Sequence, residues 1–391
     1  MKRILVDDIA YQLNLHGIKR VWNELFKTIK DHGYDSKNGY KFIQLRRSPH
    51  NPKLFDDVID YQELDYRFPA IDRINLDRIV EEQKIDLFIS TFYTSVTKIK
   101  SLLIVYDLIP ERFNFSELNS GWLERKLAIL FSTSYLSISH QTQKDLSSYY
   151  PFTKNRVNDF SPLGVNSDVF YIPSDYLIEQ FKSEYLIDNY FVIVGNRKGQ
   201  HDYKNANFLF DVVMYSPFRS FNLFFVGGEK LNRFEKFVLK LKGINFVQRN
   251  LQDDELTRCY AGSRGLIYPS QYEGFGLPII EAVACGTPVV AYESSPAFEY
   301  IEKFGINLKG KSPKQVSKIL NSKFLIDLKI ELLSNPHHFT EVNSWNIFSM
   351  KFIGTIKETL EKGEFDLIQP NPKAFSIYTH YASLIQSREV N

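Results

Sequence analysis

Cysteine is almost missing from this sequence of 391 residues. The two present, Cys259 and Cys285, fall in different predicted helices and form no CxxC. That excludes a disulfide framework, argues against a thiolate zinc site and makes a reducing cytosol the expected setting. Long apolar runs are missing too: no segment approaches the ~18 consecutive apolar residues of a membrane-spanning helix. Any membrane contact is therefore expected to be peripheral. The opening MKRILVDD passes from charge directly into a short apolar strand, without the apolar run and small-residue cleavage site of a secretory signal. Net charge is near zero, at +2, and no basic block stands out beyond the pairs Arg46-Arg47 and Lys19-Arg20, which read as solvated surface. A nucleic-acid partner is excluded on that ground. No internal repeat or low-complexity segment is evident. The 32 Phe and 23 Tyr are spread along the chain and read as core, not as an RNA-stacking motif.

What is present is a recurring pattern of short runs rich in Val, Ile, Leu and Phe, each followed by a segment with helical spacing. Residues 2–6, 41–45, 87–90, 102–106 and 135–139 form one series, and residues 191–194, 223–226, 245–247, 266–268 and 289–291 a second. Runs apolar on both faces and separated by helices predict parallel sheets covered on both sides. The clearest helix is GIKRVWNELFKTIKDHG, where Ile18, Val21, Trp22, Leu25, Phe26 and Ile29 keep one face and Gly33 supplies a stop. In the second half, residues 204–214, 229–241, 253–262 and 278–285 suit helices. Two such series in tandem predict an α/β chain of two Rossmann-like domains. The join is expected in SPLGVNSDVFYIPSDY, residues 161–176, which gives domains 1–165 and 170–361. An amphipathic stretch, Trp345 to Leu360, closes the second, and the polar tail 362–391 is a candidate to pack back on the first.

Ligands of open α/β sheets sit beyond the carboxyl ends of the strands, which directs attention to four strand-to-helix passages. In FVIVGNRKGQHDYKN, Gly195 ends a strand and Arg197, Lys198 and Lys204 follow, a set that either holds a phosphate or is a basic surface loop. In QYEGFGLPIIEAVACGTP, Pro278 suits a helix start, Gly274 and Gly276 admit close backbone approach, and the N–H groups of Phe275, Gly276 and Leu277 point out with the positive helix end. Glu273 in the loop and Glu281 about one turn into the helix are either an acidic loop with its cap or acceptors for sugar hydroxyls flanking a bound phosphate. In LNLHGIKR, His16 and Gly17 open the strongest helix of the first half, as an ordinary capped loop or as a second anion site. In LLIVYDLIPE, Asp107 ends a strand, as a turn residue or as a substrate contact. The pairs Asp7-Asp8 and Asp253-Asp254 lack a supporting His or carboxylate cluster and read as a strand-end turn and a helix cap, so no metal site is expected.

The stretch SRGLIYPSQYEGFGLPIIEAVACGTPVVAYESSPAFEYI, residues 263–301, resembles the retaining glycosyltransferases of family 4, the glycosyl transferases group 1, with the GT-B fold. It carries that family's E-x7-E pattern as Glu273 and Glu281. Weaker agreement runs through HGIKRVW, SISHQTQKDL, SPLGVNSDVF, VGNRKGQHDYKN, LFFVGG and DDELTRCYAGSRGLIYPS. The resemblance implies two Rossmann-like domains facing across a cleft, the first for the acceptor and the second for a nucleoside diphosphate sugar. It implies Glu281 on the ribose hydroxyls, Glu273 on the donor sugar, and the Phe275–Leu277 backbone with Gly195 and Gly17 around the diphosphate. Arg197 and Lys204 match the basic pair that neutralises the leaving diphosphate, with no cofactor and no divalent metal. His16 and Asp107 are further candidates. The family's usual histidine before that aspartate is Tyr106 here, so no histidine role transfers, and Tyr203 precedes Lys204 where the common form is R-K-N. The expected activity is transfer of a hexose, with a preference for mannose from GDP-mannose, to a glycan or glycolipid hydroxyl in bacterial surface polysaccharide synthesis. Its expected place is the cytoplasm, at most against the inner face of the membrane. A nucleotide-sugar epimerase or a sugar phosphorylase on the same fold is the alternative.

Overall fold

The computed structural model describes residues 1–115, 120–197, 203–334 and 344–362. The chain divides into two compact units: Met1–Ser161 together with the chain from Trp345 onward, and Pro162–Ser344. Each is built on one parallel sheet.

The first sheet contains β1 (Lys2–Asp7), β2 (Tyr40–Arg46), β3 (Asp57–Asp60), β4 (Leu87–Ser90), β5 (Ser101–Val105), β6 (Ser134–Ser137) and β7 (Val157–Phe160). Its seven strands lie in the order β3-β2-β1-β4-β5-β6-β7. The central strands β4, β5 and β6 are buried at every residue, as central strands of a parallel sheet between two helical layers should be. The helix His16–His32 buries Val21, Trp22, Leu25, Phe26 and Ile29 and stops at Gly33, whose φ of 62° returns its N–H to the last turn.

The second sheet contains β8 (Tyr190–Val194), β9 (Asn222–Val226), β10 (Phe246–Arg249), β11 (Leu266–Tyr268), β12 (Val289–Ala291) and β13 (Gly305–Asn307). Its six strands lie in the order β10-β9-β8-β11-β12-β13. Strand order reverses between β1 and β4 in the first sheet and between β8 and β11 in the second. These reversals are where open α/β sheets form their ligand crevices.

Two expectations need correction. The second domain was expected to run to residue 361, but the helix Trp345–Glu361 belongs to the first unit. Its buried face explains this: Phe352 meets Trp22 edge-on at 6.0 Å and Asn346 Oδ1 accepts from Tyr34 Oη at 2.6 Å. The tail, expected over 362–391, lies beyond Lys362 outside the described residues.

Arg47, expected on the surface, is 1% exposed. Its Nε and Nη2 donate to the two carboxylate oxygens of Asp7 at 2.6 and 2.7 Å, and its Nη1 and Nη2 to those of Asp72, both at 2.9 Å. Asp7 Oδ2 also accepts from Thr94 Oγ1 at 2.5 Å, across the reversal between β1 and β4. Asp8 accepts from Gln44, Asn51 and the Arg47 backbone, while burial raises its pKa above the usual carboxylate value. The Asp7-Asp8 pair is therefore the acidic half of a buried charge network, more than a strand-end turn.

Candidate functional site

At the carboxyl ends of β8 and β9 the backbone turns on glycine. Gly195 follows β8 and Gly228 follows β9, with φ of +91° and +70°. A Cβ on Gly228 would lie 2.5 Å from the Gly195 carbonyl oxygen, so only glycine lets the two strand ends approach this closely. Across the strand reversal, β11 ends at Tyr268 and the chain enters the loop that carries Glu273.

That loop is tied to the one bearing Lys204. Gln271 N donates to Tyr203 O at 2.8 Å, Ser294 Oγ donates to Gln271 O at 2.6 Å, and Lys204 Nζ donates to Glu273 Oε1 at 2.5 Å. The two side chains are 19% and 12% exposed, shielded enough for the pair to be more than a surface contact. The Tyr268 hydroxyl is hydrogen-bonded to Glu273. Burial first, and then the Glu273 charge, push its pKa well above the usual phenol value, so it stays protonated at neutral pH.

Gly276, with φ +108°, precedes the helix Leu277–Ala284, whose start carries no side-chain cap among the described residues. Pro278 is its second residue, not its first, and Leu277 opens it. Phe275 is buried and its carbonyl accepts from Ala297 N at 2.9 Å, which pins the loop on its inner side. Glu281, 3% exposed, accepts from Tyr260 Oη at 3.2 Å through Oε2. Glu281 is thus a held, buried carboxylate, not a surface cap. The uncapped helix start, the paired Glu273 and the buried Glu281 together form a site that offers backbone N–H groups to an anion and carboxylates to hydroxyls.

Arg197 lies on the other side of β8. Its N donates to Glu229 Oε2 at 3.1 Å, its Nη2 donates to Glu229 O, and its guanidinium stacks 5.0 Å from the Phe225 ring centroid. Burial pulls its pKa below the usual value, against the opposing pull of Glu235 and Glu229. Its Nε and Nη1 have no hydrogen-bond partner among the described residues. The contacts named bring Lys204 to Glu273 and Arg197 to Glu229. Lys198 lies outside the described residues.

His16, Gly17 and Asp107 belong to the first unit, and the other candidates to the second. His16 is the exposed first residue of its helix, and a Cβ on Gly17 would meet nothing within 4 Å. Asp107 Oδ1 accepts from Ile109 N at 2.9 Å and lies 3.6 Å from Arg125 Nη2, the posture of a turn residue. Tyr106 is buried, accepting from Trp22 Nε1 at 2.6 Å and donating to Thr91 O at 2.9 Å. Asp253 and Asp254 open the helix Asp253–Gly262, but Gln252 caps it. No group of three His, Cys, Asp or Glu residues placed to hold a metal ion occurs among the described residues. No helix among them is long and apolar enough to cross a membrane.

Sequence reasoning passed over Tyr268, Tyr260 and Glu229, which hold Glu273, Glu281 and Arg197. Tyr268 and Glu229 each lie at or just past the carboxyl end of a strand, the same signal that drew attention to Gly195. Tyr260 sits mid-helix and carries no such mark.

Residues 174–325 match the family described as Glycosyl transferases group 1. Over 54 residues the chain is 46% identical to O-antigen chain mannosyltransferase B of Escherichia coli, a match covering 14% of this chain and 14% of that protein. Over 137 residues it is 30% identical to the serotype-specific mannosyltransferase WbdA of Escherichia coli, covering 33% of this chain and 16% of that protein. The chain thus spans only a small part of the length of these curated relatives. Its fold is similar to that of WaaG, a glycosyltransferase involved in lipopolysaccharide biosynthesis, with a TM-score of 0.68 at 16% identity, covering 92% of this chain and 100% of that one. The two parallel-sheet α/β units match the fold of GT-B structures such as WaaG. These likenesses do not favour an epimerase or a phosphorylase.

Proposed function

We propose that the chain is a retaining glycosyltransferase of family 4. It moves a hexose, by preference mannose from GDP-mannose, to a hydroxyl of a glycan or glycolipid acceptor in bacterial surface polysaccharide synthesis. The observation that carries this reading is the Lys204–Glu273 pair set at an uncapped helix start, with Glu281 buried in the same helix. In this reading the diphosphate lies against the N–H groups of Phe275 to Leu277, near Gly195. Glu281 accepts from the ribose hydroxyls and Glu273 from those of the sugar.

Breaking the bond between the sugar and the phosphate leaves negative charge on the diphosphate. Lys204, Arg197 and the positive helix end stabilise that charge as it develops. The acceptor oxygen attacks the anomeric carbon from the face the diphosphate leaves, and the departing phosphate oxygen takes the acceptor proton. One carbon–oxygen bond forms as the other breaks, and the anomeric configuration is kept. No divalent metal takes part, and the enzyme works in the cytoplasm.

The mannosyltransferase relatives support the donor preference. The test is incubation with a panel of nucleoside diphosphate sugars and mannose-terminated acceptors, with and without EDTA, followed by NMR of the product. Release of GDP from GDP-mannose only with acceptor, an α-linked product and insensitivity to EDTA are expected. A β-linked product overturns retention, loss of activity in EDTA overturns metal independence, and release driven by inorganic phosphate indicates a phosphorylase.

A further inference from the structure

The helix Arg233–Leu241 connects β9 to β10, at the outer edge of the second sheet. It packs inward through Glu235, Val238 and Leu239. At about 100° per residue, Phe234, Phe237 and Leu241 form one outward stripe and Arg233, Lys236 and Lys240 the stripe beside it. The apolar three are 65%, 60% and 51% exposed. Phe218, 63% exposed, continues the stripe at the helix's C-terminal end. A Cβ on Gly243 would come within 2.6 Å of its ring, and Arg219 N donates to Lys242 O at 2.9 Å.

Charge on this face has one sign. From Lys230 to Lys242 the chain carries the cations Lys230, Arg233, Lys236, Lys240 and Lys242 and a single acid, Glu235. Glu235 is 5% exposed and is used up in a capping box with Asn232. A row of exposed aromatic and aliphatic side chains, flanked by cations with no exposed acid among them, is the make-up of a helix that lies in a bilayer interface. The rings enter the boundary between headgroups and acyl chains, and the cations meet anionic headgroups. A second copy of the chain could cover the apolar stripe, but it would have to bring acids to this cationic row. We propose that this face of the second unit docks on an anionic lipid bilayer. The proposal is independent of which sugar is transferred.

The test is sedimentation of the full chain with vesicles of equal parts phosphatidylglycerol and phosphatidylcholine, against vesicles of phosphatidylcholine alone. The chain should pellet with the mixed vesicles, with at least about tenfold weaker binding to the neutral ones or in about 1 M salt. The variant Phe234→Ser/Phe237→Ser/Leu241→Ser should bind at least about tenfold more weakly. Lys236→Gln/Lys240→Gln should lose about tenfold on the mixed vesicles alone. Circular dichroism and thermal midpoints check that both variants are folded, the expected result since every substituted side chain is exposed. Absence of pelleting with mixed vesicles, or unchanged binding by both variants, overturns the proposal. So does a wild-type dimer that the triple variant turns into monomer without any vesicle binding, which would make the face a contact between copies.

Discussion

Lys204 Nζ and Glu273 Oε1 lie 2.5 Å apart and join loops 69 positions distant in the chain. With Tyr268 on the same carboxylate, Glu273 is fixed from two sides. Preorganised charge of this kind is worth most where charge develops in the reaction. Lys204→Ala and Glu273→Ala should each lower kcat/KM for GDP-mannose by about 10²–10³. The double variant should fall little further, because the two act as a unit. Steady-state release of nucleoside diphosphate measures all three, and rates within a few-fold of wild type would remove both residues from the chemistry.

Glu281 should show itself in binding more than in turnover. Glu281→Gln is expected to raise the donor KM by about tenfold, the worth of one charge-assisted hydrogen bond, with kcat changed by less. Tyr260→Phe removes the hydroxyl that Glu281 accepts from and should move KM in the same direction by less. A fall in kcat at constant KM in both variants would contradict the assignment.

Arg47 offers a stability test confined to the first unit. Arg47→Met leaves Asp7 and Asp72 buried without their cation and should destabilise the first unit by about 3–5 kcal/mol. Arg47→Lys should recover little, because a single ammonium does not reproduce the fork that grips two carboxylates. All three tryptophans, Trp22, Trp122 and Trp345, belong to this unit. Tryptophan fluorescence in a urea titration therefore reads this unit selectively.

Lys329 predicts a pH dependence. Its Nζ donates to the carbonyls of Ala261 and Ser263, the first at 2.6 Å. Burial, with Lys182 adding to it, pulls its pKa from 10.5 down to about 8. Below about 8 the amine is charged whether the chain is folded or not; between about 8 and 10.5 the unfolded chain keeps a proton that the folded chain has released. The contribution of Lys329 to stability therefore rises with pH across that window. The unfolding free energy of wild type minus that of Lys329→Met, from denaturant titrations, should grow from the lower to the upper end. A flat difference would refute the shift.

Strands that carry apolar residues on both faces were legible in the sequence: β4, β11 and β12 fall where their apolar runs predict. The edge strands β3 and β13 and the polar β7 were not. Asp57–Asp60 reads DVID and Val157–Phe160 reads VNDF, because a strand covered on fewer sides needs no continuous apolar run. In the candidate site, Glu273, Lys204 and Arg197 could each be singled out from their place after a strand, and Glu281 from its spacing to Glu273. The pairing of Lys204 with Glu273, and of Arg197 with Glu229, could not, since each joins loops that only the sheet order brings together. Arg47 shows the same limit: its carboxylates come from β1 and from the helix Pro69–Glu82, and nothing local distinguishes it from Arg46 beside it, which is half-buried and paired with Asp60 alone among the described residues.

The return of the helix Trp345–Glu361 to the first unit makes residues 162–344 an insertion within another fold. Order of synthesis then matters. The inserted unit is complete as soon as its last strand and helices leave the ribosome. The first unit, although begun earlier, must wait with Trp22 uncovered until Phe352 arrives. A chain cut short near residue 344 would therefore harm its beginning more than its middle. A stop codon there should yield a protease-resistant fragment corresponding to the insertion, while the N-terminal segment is degraded.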